Sequence, residues 1–271
     1  MNASQRIKNN ITCGIEKAAA FLKDKEDLEE RSKRQIAALS EKITEPEKTR
    51  KLAEYVEILY QENQKYNLIG PADRNEIVYL HILDSLIPLF YASILAEYTG
   101  KIGIDIGSGA GLPGLIWCTV LPESTVYLLD SRRKRVNFLR KTVRKLNIEH
   151  CRPLRTRAEK LGQDKDWREK FDFVLARAVA PLNILLEYSL PLLRIEGRAL
   201  LFKGPGYQEE LEEGEAAAAI LQGSQEKIFK LEIPGLDRDR YLLSFKKNDY
   251  SPEKYPRRTG IPEKRPLGSR K

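Results

Sequence analysis

Lys101-Ile102-Gly103-Ile104-Asp105-Ile106-Gly107-Ser108-Gly109-Ala110-Gly111-Leu112-Pro113-Gly114 is the run around which the remaining sequence makes sense. Ile102, Ile104 and Ile106 are β-branched residues in a short apolar run, the composition of a buried strand. Asp105 leads into Gly107, Gly109 and Gly111, and Pro113 stands where a helix would begin. A strand that turns through glycines into a helix leaves backbone N–H groups bare, with no Cβ to hold a ligand away. The spacing is G-x-G-x-G because position 112 is Leu, whereas pyrophosphate binders place the third glycine one residue later. A carboxylate just before the loop would repel a pyrophosphate but suits the cationic end of S-adenosylmethionine. Short glycine motifs also occur as plain βα turns without a ligand, so support must come from elsewhere in the chain.

The length, 271 residues, suits one large domain with a helical appendage or two small domains, and 41% hydrophobic residues suffice for a real core. No apolar run approaches a membrane span, and the first residues, Met1–Ile11, lack the apolar core of a secretion signal. Cys13, Cys118 and Cys151 are odd in number and share no ligand spacing. With only two histidines beside them, a zinc site is disfavoured and a reduced cytoplasmic chain is expected. The net charge of +8 is unevenly placed. Residues 246–271 carry nine Lys/Arg against three Asp/Glu, and residues 131–145 carry eight Lys/Arg and no acid. A polyanion is the natural partner of such surfaces, although a solvated helix face and a loose tail would show the same counts.

The first part of the chain reads as helical. Residues 15–43 are expected to form a surface-laid or projecting helix with sparse apolar positions, and Thr44 is a candidate cap for the next helix, about 46–65, with Pro46 in its first turn. A further helix, about 75–95, carries His81-Ile82-Leu83-Asp84-Ser85. From 101 the texture changes to strands (101–106, 125–130, 152–156, 171–176 and 198–203) separated by helix-length segments, the pattern of βα units and a parallel sheet. The last two strands, 226–233 and 239–247, flank Pro234-Gly235 and are expected to finish the sheet as an antiparallel hairpin. The expected organisation is an N-terminal helical extension (1–44), a helical cap (45–98), a doubly wound α/β domain (99–248) and a basic C-terminal tail (249–271).

Asp130 ends the second strand 23 residues after Gly107, where one carboxylate can accept both ribose hydroxyls of an adenosine cofactor. NAD and S-adenosylmethionine binders share that position, and an oxidoreductase stays open on this residue alone. Ala158 and Glu159 follow the third strand, at the edge where an adenine ring would lie. Arg177 ends the fourth strand and Lys203 the fifth, and cations at strand ends overlook the cleft of a doubly wound sheet. A lone helical histidine such as His81 is more often a packing residue than a catalyst, and Asp84, three residues on, is a candidate to hold it. No Asn-Pro-Pro-Tyr stretch for gripping an amino group follows the fourth strand, and no cysteine is placed as a nucleophile.

These residues carry a specific resemblance. His81-Ile-Leu-Asp-Ser-Leu86, Asp105-Ile-Gly-Ser-Gly-Ala-Gly-Leu-Pro-Gly114, Leu129-Asp-Ser131, Arg157-Ala-Glu159, Ala176-Arg-Ala-Val-Ala-Pro-Leu182, Phe202-Lys-Gly204 and the tail from Tyr255 to Leu267 recur together in one family. Over about residues 45–267 the chain resembles the glucose-inhibited division protein B family, bacterial 16S rRNA guanine-N7 methyltransferases. The resemblance implies a class I S-adenosylmethionine-dependent methyltransferase sheet, Rossmann-like and mostly parallel, acting on one guanine of the 530 loop of small-subunit rRNA. It implies cofactor contacts at Gly107, Leu112, Ala158, Glu159 and Arg177. With the loop and strand-end residues, the candidate cofactor set is Gly107, Ser108, Gly109, Gly111, Leu112, Asp130, Ser131, Ala158, Glu159 and Arg177. The candidate RNA-binding set is Asn67, His81, Arg132, Arg133, Lys134, Arg135, Lys203, Arg257, Arg258, Lys264 and Arg265, with Arg177 and Lys203 as candidates for positioning the substrate. Glu62 departs from the family, which usually has Trp there, and residues 1 to about 28 have no placed counterpart. A monomer without metal, working on 16S rRNA or a small-subunit particle, is expected; another RNA or a protein acceptor is the alternative.

Overall fold

The structure, a computed structural model, describes residues 2–26 and 28–269. Seven strands form one sheet in the order β3-β2-β1-β4-β5-β7-β6. They are β1 (Ile102–Ile106), β2 (Thr125–Asp130), β3 (Cys151–Arg155), β4 (Phe171–Arg177), β5 (Leu193–Lys203), β6 (Gly223–Leu231) and β7 (Arg240–Lys247). β1 to β5 pair in parallel, whereas β7 runs antiparallel to both β5 and β6. The expected antiparallel hairpin is present, and its second strand inserts between β5 and β6.

Period-two alternation divides the strand residues between two cores. On β4, Phe173 and Leu175 face one core while Val174 and Ala176 face the other. One face of the sheet carries α8 (Ala158–Gln163), α9 (Leu182–Ser189) and α10 (Tyr207–Ile220). The opposite face carries α6 (Gly114–Val120), α7 (Arg133–Leu146) and the N-terminal helices. Trp117 of α6 is fully buried and donates its indole N–H to the Ser85 carbonyl at 3.0 Å, tying the sheet to the helical part of the chain.

The N-terminal region departs from expectation. Instead of one helix over 15–43 there are two, α1 (Ala3–Lys23) and α2 (Glu30–Thr44), which pack on each other and on α3 (Pro46–Tyr66). Asn2 caps α1, its side-chain oxygen accepting the Gln5 N–H at 2.9 Å. Ile7, Ile11, Ile15, Ala18 and Leu22 form a buried stripe at helical spacing, and Ile36 and Ile43 of α2 join the same core. Ile7 and Ile11 precede residue 15, so a helix taken over 15–43 carries only part of that stripe and is poor in apolar positions. Phe21, by contrast, is 44% exposed. Thr44 does not cap α3; it is the last residue of α2, its hydroxyl donating to the Ser40 and Glu41 carbonyls, and Glu45 occupies the cap position.

The helix expected at 75–95 starts as α4 (Arg74–Ile77) behind an Asp73–Glu76 capping box, widens into a π-helical stretch (Val78–Leu83) and resumes as α5 (Asp84–Leu95). Residues 248–269, after β7, do not form a loose tail. Tyr255, Pro262 and Leu267 are buried, a short helix α11 (Ile261–Lys264) forms, and Arg168 donates to the Ser251, Pro252 and Tyr255 carbonyls. Among the described residues no helix is long and apolar enough to cross a membrane.

Candidate functional site

The glycine loop leaves β1 at the carboxyl edge of the sheet. Gly107, Gly109 and Gly111 adopt φ of 70°, 56° and 100°, the left-handed region in which a side chain is strained. At Gly107 a Cβ would also stand 2.7 Å from the Val179 side chain. The loop is braced from three sides. Tyr55 of α3 donates its hydroxyl to the Ala110 carbonyl at 2.7 Å, Ser108 donates to the Asp105 carbonyl at 2.8 Å, and Asp130 accepts the Gly109 N–H at 3.2 Å.

Asp105, the carboxylate expected to suit a cationic ligand, is fully buried beneath the loop. One carboxylate oxygen accepts the Gly114 N–H at 2.9 Å and the other has no partner among the described residues. Burial pushes its pKa from 3.8 up to about 7. Its contact with the loop is therefore structural, and any attraction to a cation above would act through the loop.

A cleft of about 360 Å³ opens along the ends of β1 and β2, lined by Gly107, Asp130, Ser131, Arg132, Arg135, Ala158, Glu159, Val179 and Tyr188, among others. Asp130 is held there by the Arg132 N–H on Oδ1 at 2.7 Å and by the Gly109 N–H and Arg135 on Oδ2 at 3.2 and 3.4 Å, which leaves one lone pair on Oδ1 for a further donor. Its size and polar wall fit an adenosine-containing donor, and the bare glycine backbone admits close approach. Glu159, 2% exposed, accepts the N–H of Gly260 at 3.1 Å, so the C-terminal segment holds this wall in place. Ser108, Gly109, Gly111 and Leu112 lie in the loop but do not line the cleft; Leu112 is buried in the core against the helical cap.

Arg177 lines a neighbouring cavity of about 370 Å³ at the ends of β4 and β5, with His81, Asp84, Phe202, Lys203, Arg238, Arg240 and Tyr241. Ala178 lines both cavities, so they adjoin. Arg177 donates to Asp84 at 3.0 Å, to the Ser85 hydroxyl at 3.3 Å and to His81 Nδ1 at 3.1 Å. Asp84 also pairs with Arg240 at 3.4 Å. The expected His81–Asp84 contact is replaced by this arrangement: His81, in the π-helical stretch, and Asp84, the first residue of α5, both contact Arg177. Burial, with help from Arg177 and Arg240, pushes His81 from 6.5 down to about 4, and burial outweighs the same two cations in pushing Asp84 up. Lys203 reaches this cavity but is engaged, donating to Glu210 at 2.7 Å and to the Ala180 carbonyl at 3.1 Å.

The candidate RNA-binding residues fall on separate surfaces. Asn67 and Arg132 to Arg135 line a cleft between α3 and α7. Arg257 and Arg258 line a cavity of about 630 Å³ beside α8, and Lys264 and Arg265 are exposed at α11. Arg257 is bound to the fully buried Glu187 at 2.6 Å. Arg238, Arg240 and Tyr241 had no sequence signal of their own, since only the sheet order brings β7 beside β5. Among the described residues no cluster of His, Cys, Asp and Glu could hold a metal ion.

A parallel sheet ended by an inserted antiparallel strand, with a glycine loop and a strand-end carboxylate at one cleft, defines a class I S-adenosylmethionine-dependent methyltransferase. Comparison with known proteins narrows the class. A family model described as rRNA small subunit methyltransferase G (GidB) matches residues 48–240. The chain is 43% identical over 223 residues to Ribosomal RNA small subunit methyltransferase G of Carboxydothermus hydrogenoformans, covering 82% of this chain and 93% of that protein. It is 38% identical over 234 residues to the protein of the same name from Lactobacillus johnsonii, covering 86% and 97%. The chain belongs to the rRNA small subunit methyltransferase G family, and its activity is methylation of ribosomal RNA.

Proposed function

We propose that this protein methylates N7 of a guanine in the 530 loop of 16S rRNA. The observation that carries the reading is the pair of cavities meeting at Ala178, the second of which has a polar wall with no free base among the described residues. The donor, S-adenosylmethionine, supplies a methyl group on a cationic sulfur. Guanine N7 has a lone pair in the neutral base, so methylation there needs no proton acceptor, whereas an exocyclic amine or a hydroxyl would need one. Asp84 is paired with two guanidinium groups, one on each oxygen, and His81 accepts from Arg177 at Nδ1. In the neutral ring the proton then lies on Nε2, a donor suited to guanine O6 and unable to take a proton. Gly107, Asp130, Ser131, Ala158 and Glu159 would hold the donor in the first cleft. Arg177, fixed by three partners, would hold the boundary between donor and base, so that orientation supplies the rate.

Small-subunit rRNA treated with enzyme and donor should break at one guanine under borohydride and aniline, a scission specific to N7-methylguanine. RNA carrying 7-deazaguanine at that position should accept no methyl group; transfer to it would refute the reading. Arg177→Ala should lose about a hundredfold in turnover while RNA affinity stays nearly unchanged, because misplacement penalises transfer more than binding. Normal turnover in that variant would remove Arg177 from the site.

A further inference from the structure

The cleft between α3 and α7, about 470 Å³, has features that a patch of scattered surface charge lacks. Tyr66, at the end of α3, is 57% exposed and lines it, and its ring and hydroxyl have no partner among the described residues. The turn that follows Tyr66 is braced by hydrogen bonds. Asn67 takes the left-handed conformation (φ 47°) and returns its N–H to the Asn63 carbonyl at 3.1 Å. The buried Asn63 side chain accepts from Ile69 N–H at 2.9 Å and donates to the Gly70 carbonyl at 3.1 Å. An exposed aromatic ring on a braced turn loses little freedom when something stacks on it.

The remaining wall is cationic. Arg132, Arg133, Lys134 and Lys141 line the cleft, all exposed, and their side chains make no hydrogen bond or ion pair among the described residues. Phe138, 6% exposed, supplies an apolar surface, and Glu62 is the one acid among the lining residues. Arg132 and Arg135 line both this cleft and the cleft at the ends of β1 and β2, so the two adjoin. A free aromatic face beside unpaired cations is what an unpaired nucleotide requires: a π-surface for the base and positive charge for its phosphate. A duplex, whose bases stack on one another, cannot use the ring.

We infer that this cleft is a subsite for one unpaired nucleotide of the substrate RNA, its base stacked on Tyr66 and its phosphate held by Arg133 and Lys134. The subsite rests on the RNA strand passing the donor cleft, but it does not depend on which atom is methylated.

The test is the affinity of a short single-stranded RNA across a salt series, measured by fluorescence anisotropy. Tyr66→Ala should weaken binding about tenfold with the salt slope unchanged, the order expected for losing one base–aromatic stack, while Tyr66→Phe stays within about twofold. The double variant Arg133→Gln/Lys134→Gln should weaken binding and flatten the slope. Glu62→Gln should tighten binding, most at low salt. Calorimetric donor affinity and Tm, unchanged in Tyr66→Ala, separate a lost contact from a misfolded chain. Wild-type binding by Tyr66→Ala would overturn the subsite, as would an equal loss for Tyr66→Phe or an equal loss of affinity for the same RNA annealed to its complement. If the methylated atom is not N7, these affinities still decide the subsite.

Discussion

Burial moves the pKa values of Asp105 and His81 in opposite directions. Asp105 is raised from 3.8 to about 7, so between these values the folded state holds a proton that the unfolded chain releases, and its contribution to stability falls as pH rises through that window. His81 is lowered from 6.5 to about 4, so there the unfolded chain binds the extra proton, and its contribution rises with pH over nearly the same window. The two largely offset one another. Against the wild-type profile, His81→Gln should make stability fall more steeply with pH between about 4 and 7, and Asp105→Asn should make it rise more steeply. Urea unfolding at several pH values measures both slopes, and parallel profiles for all three proteins would contradict the assignment. The sequence placed both residues beside the site; it did not reveal that Asp105 faces inward to Gly114, because the face a strand-end residue takes depends on what packs beneath it.

Among the elements, the N-terminal pair of helices packs on the helical run that carries His81 and Asp84. Gly14 of α1 lies against Leu83, at the end of the π-helical stretch that carries His81, and a Cβ on Gly14 would overlap the Leu83 side chain. Asn10 also donates to Asn75 at 3.2 Å, at the start of the same helical run. α1 therefore buttresses the segment that presents His81 and Asp84 to Arg177. Gly14→Ala should cost about 1–3 kcal/mol by overpacking, and should lower turnover while donor affinity holds. Thermal unfolding and calorimetry test this; a variant with wild-type stability and turnover would show the contact to be slack. The strands of this chain were legible because alternation and short apolar runs are local properties. The end of α1 at Lys23 and the start of α2 at Glu30 were not, because the α1 stripe makes sense only once α2 and α3 lie against it.

For the molecule as a whole, neighbouring arginines of the basic C-terminal segment have different surroundings that a charge count merges. Arg257 neutralises Glu187, which is 0% exposed, whereas Arg258 has no such partner among the described residues. Arg257→Ala should destabilise the protein by about 3–5 kcal/mol, as expected when a buried charge loses its partner. Arg258→Ala should leave Tm unchanged and, where it meets a phosphate, reduce the salt slope of RNA binding by about one. Equal Tm values for the two variants would refute the division.

By itself the sequence determined the seven strands, the glycine turn with Asp130 beyond it, and the cationic character of α7 and the C-terminus. Those features rest on backbone stereochemistry, side-chain period and composition, which near neighbours in the chain specify. Only the tertiary structure decided which charges are spent on the protein itself and which stay free. Arg177 finds Asp84 and His81 from 93 and 96 residues away, Arg257 finds Glu187 from 70, and Gly260 finds Glu159 from 101. Contacts across such separations exist only once the sheet order is set, and until then a neutralised guanidinium and a free one look the same.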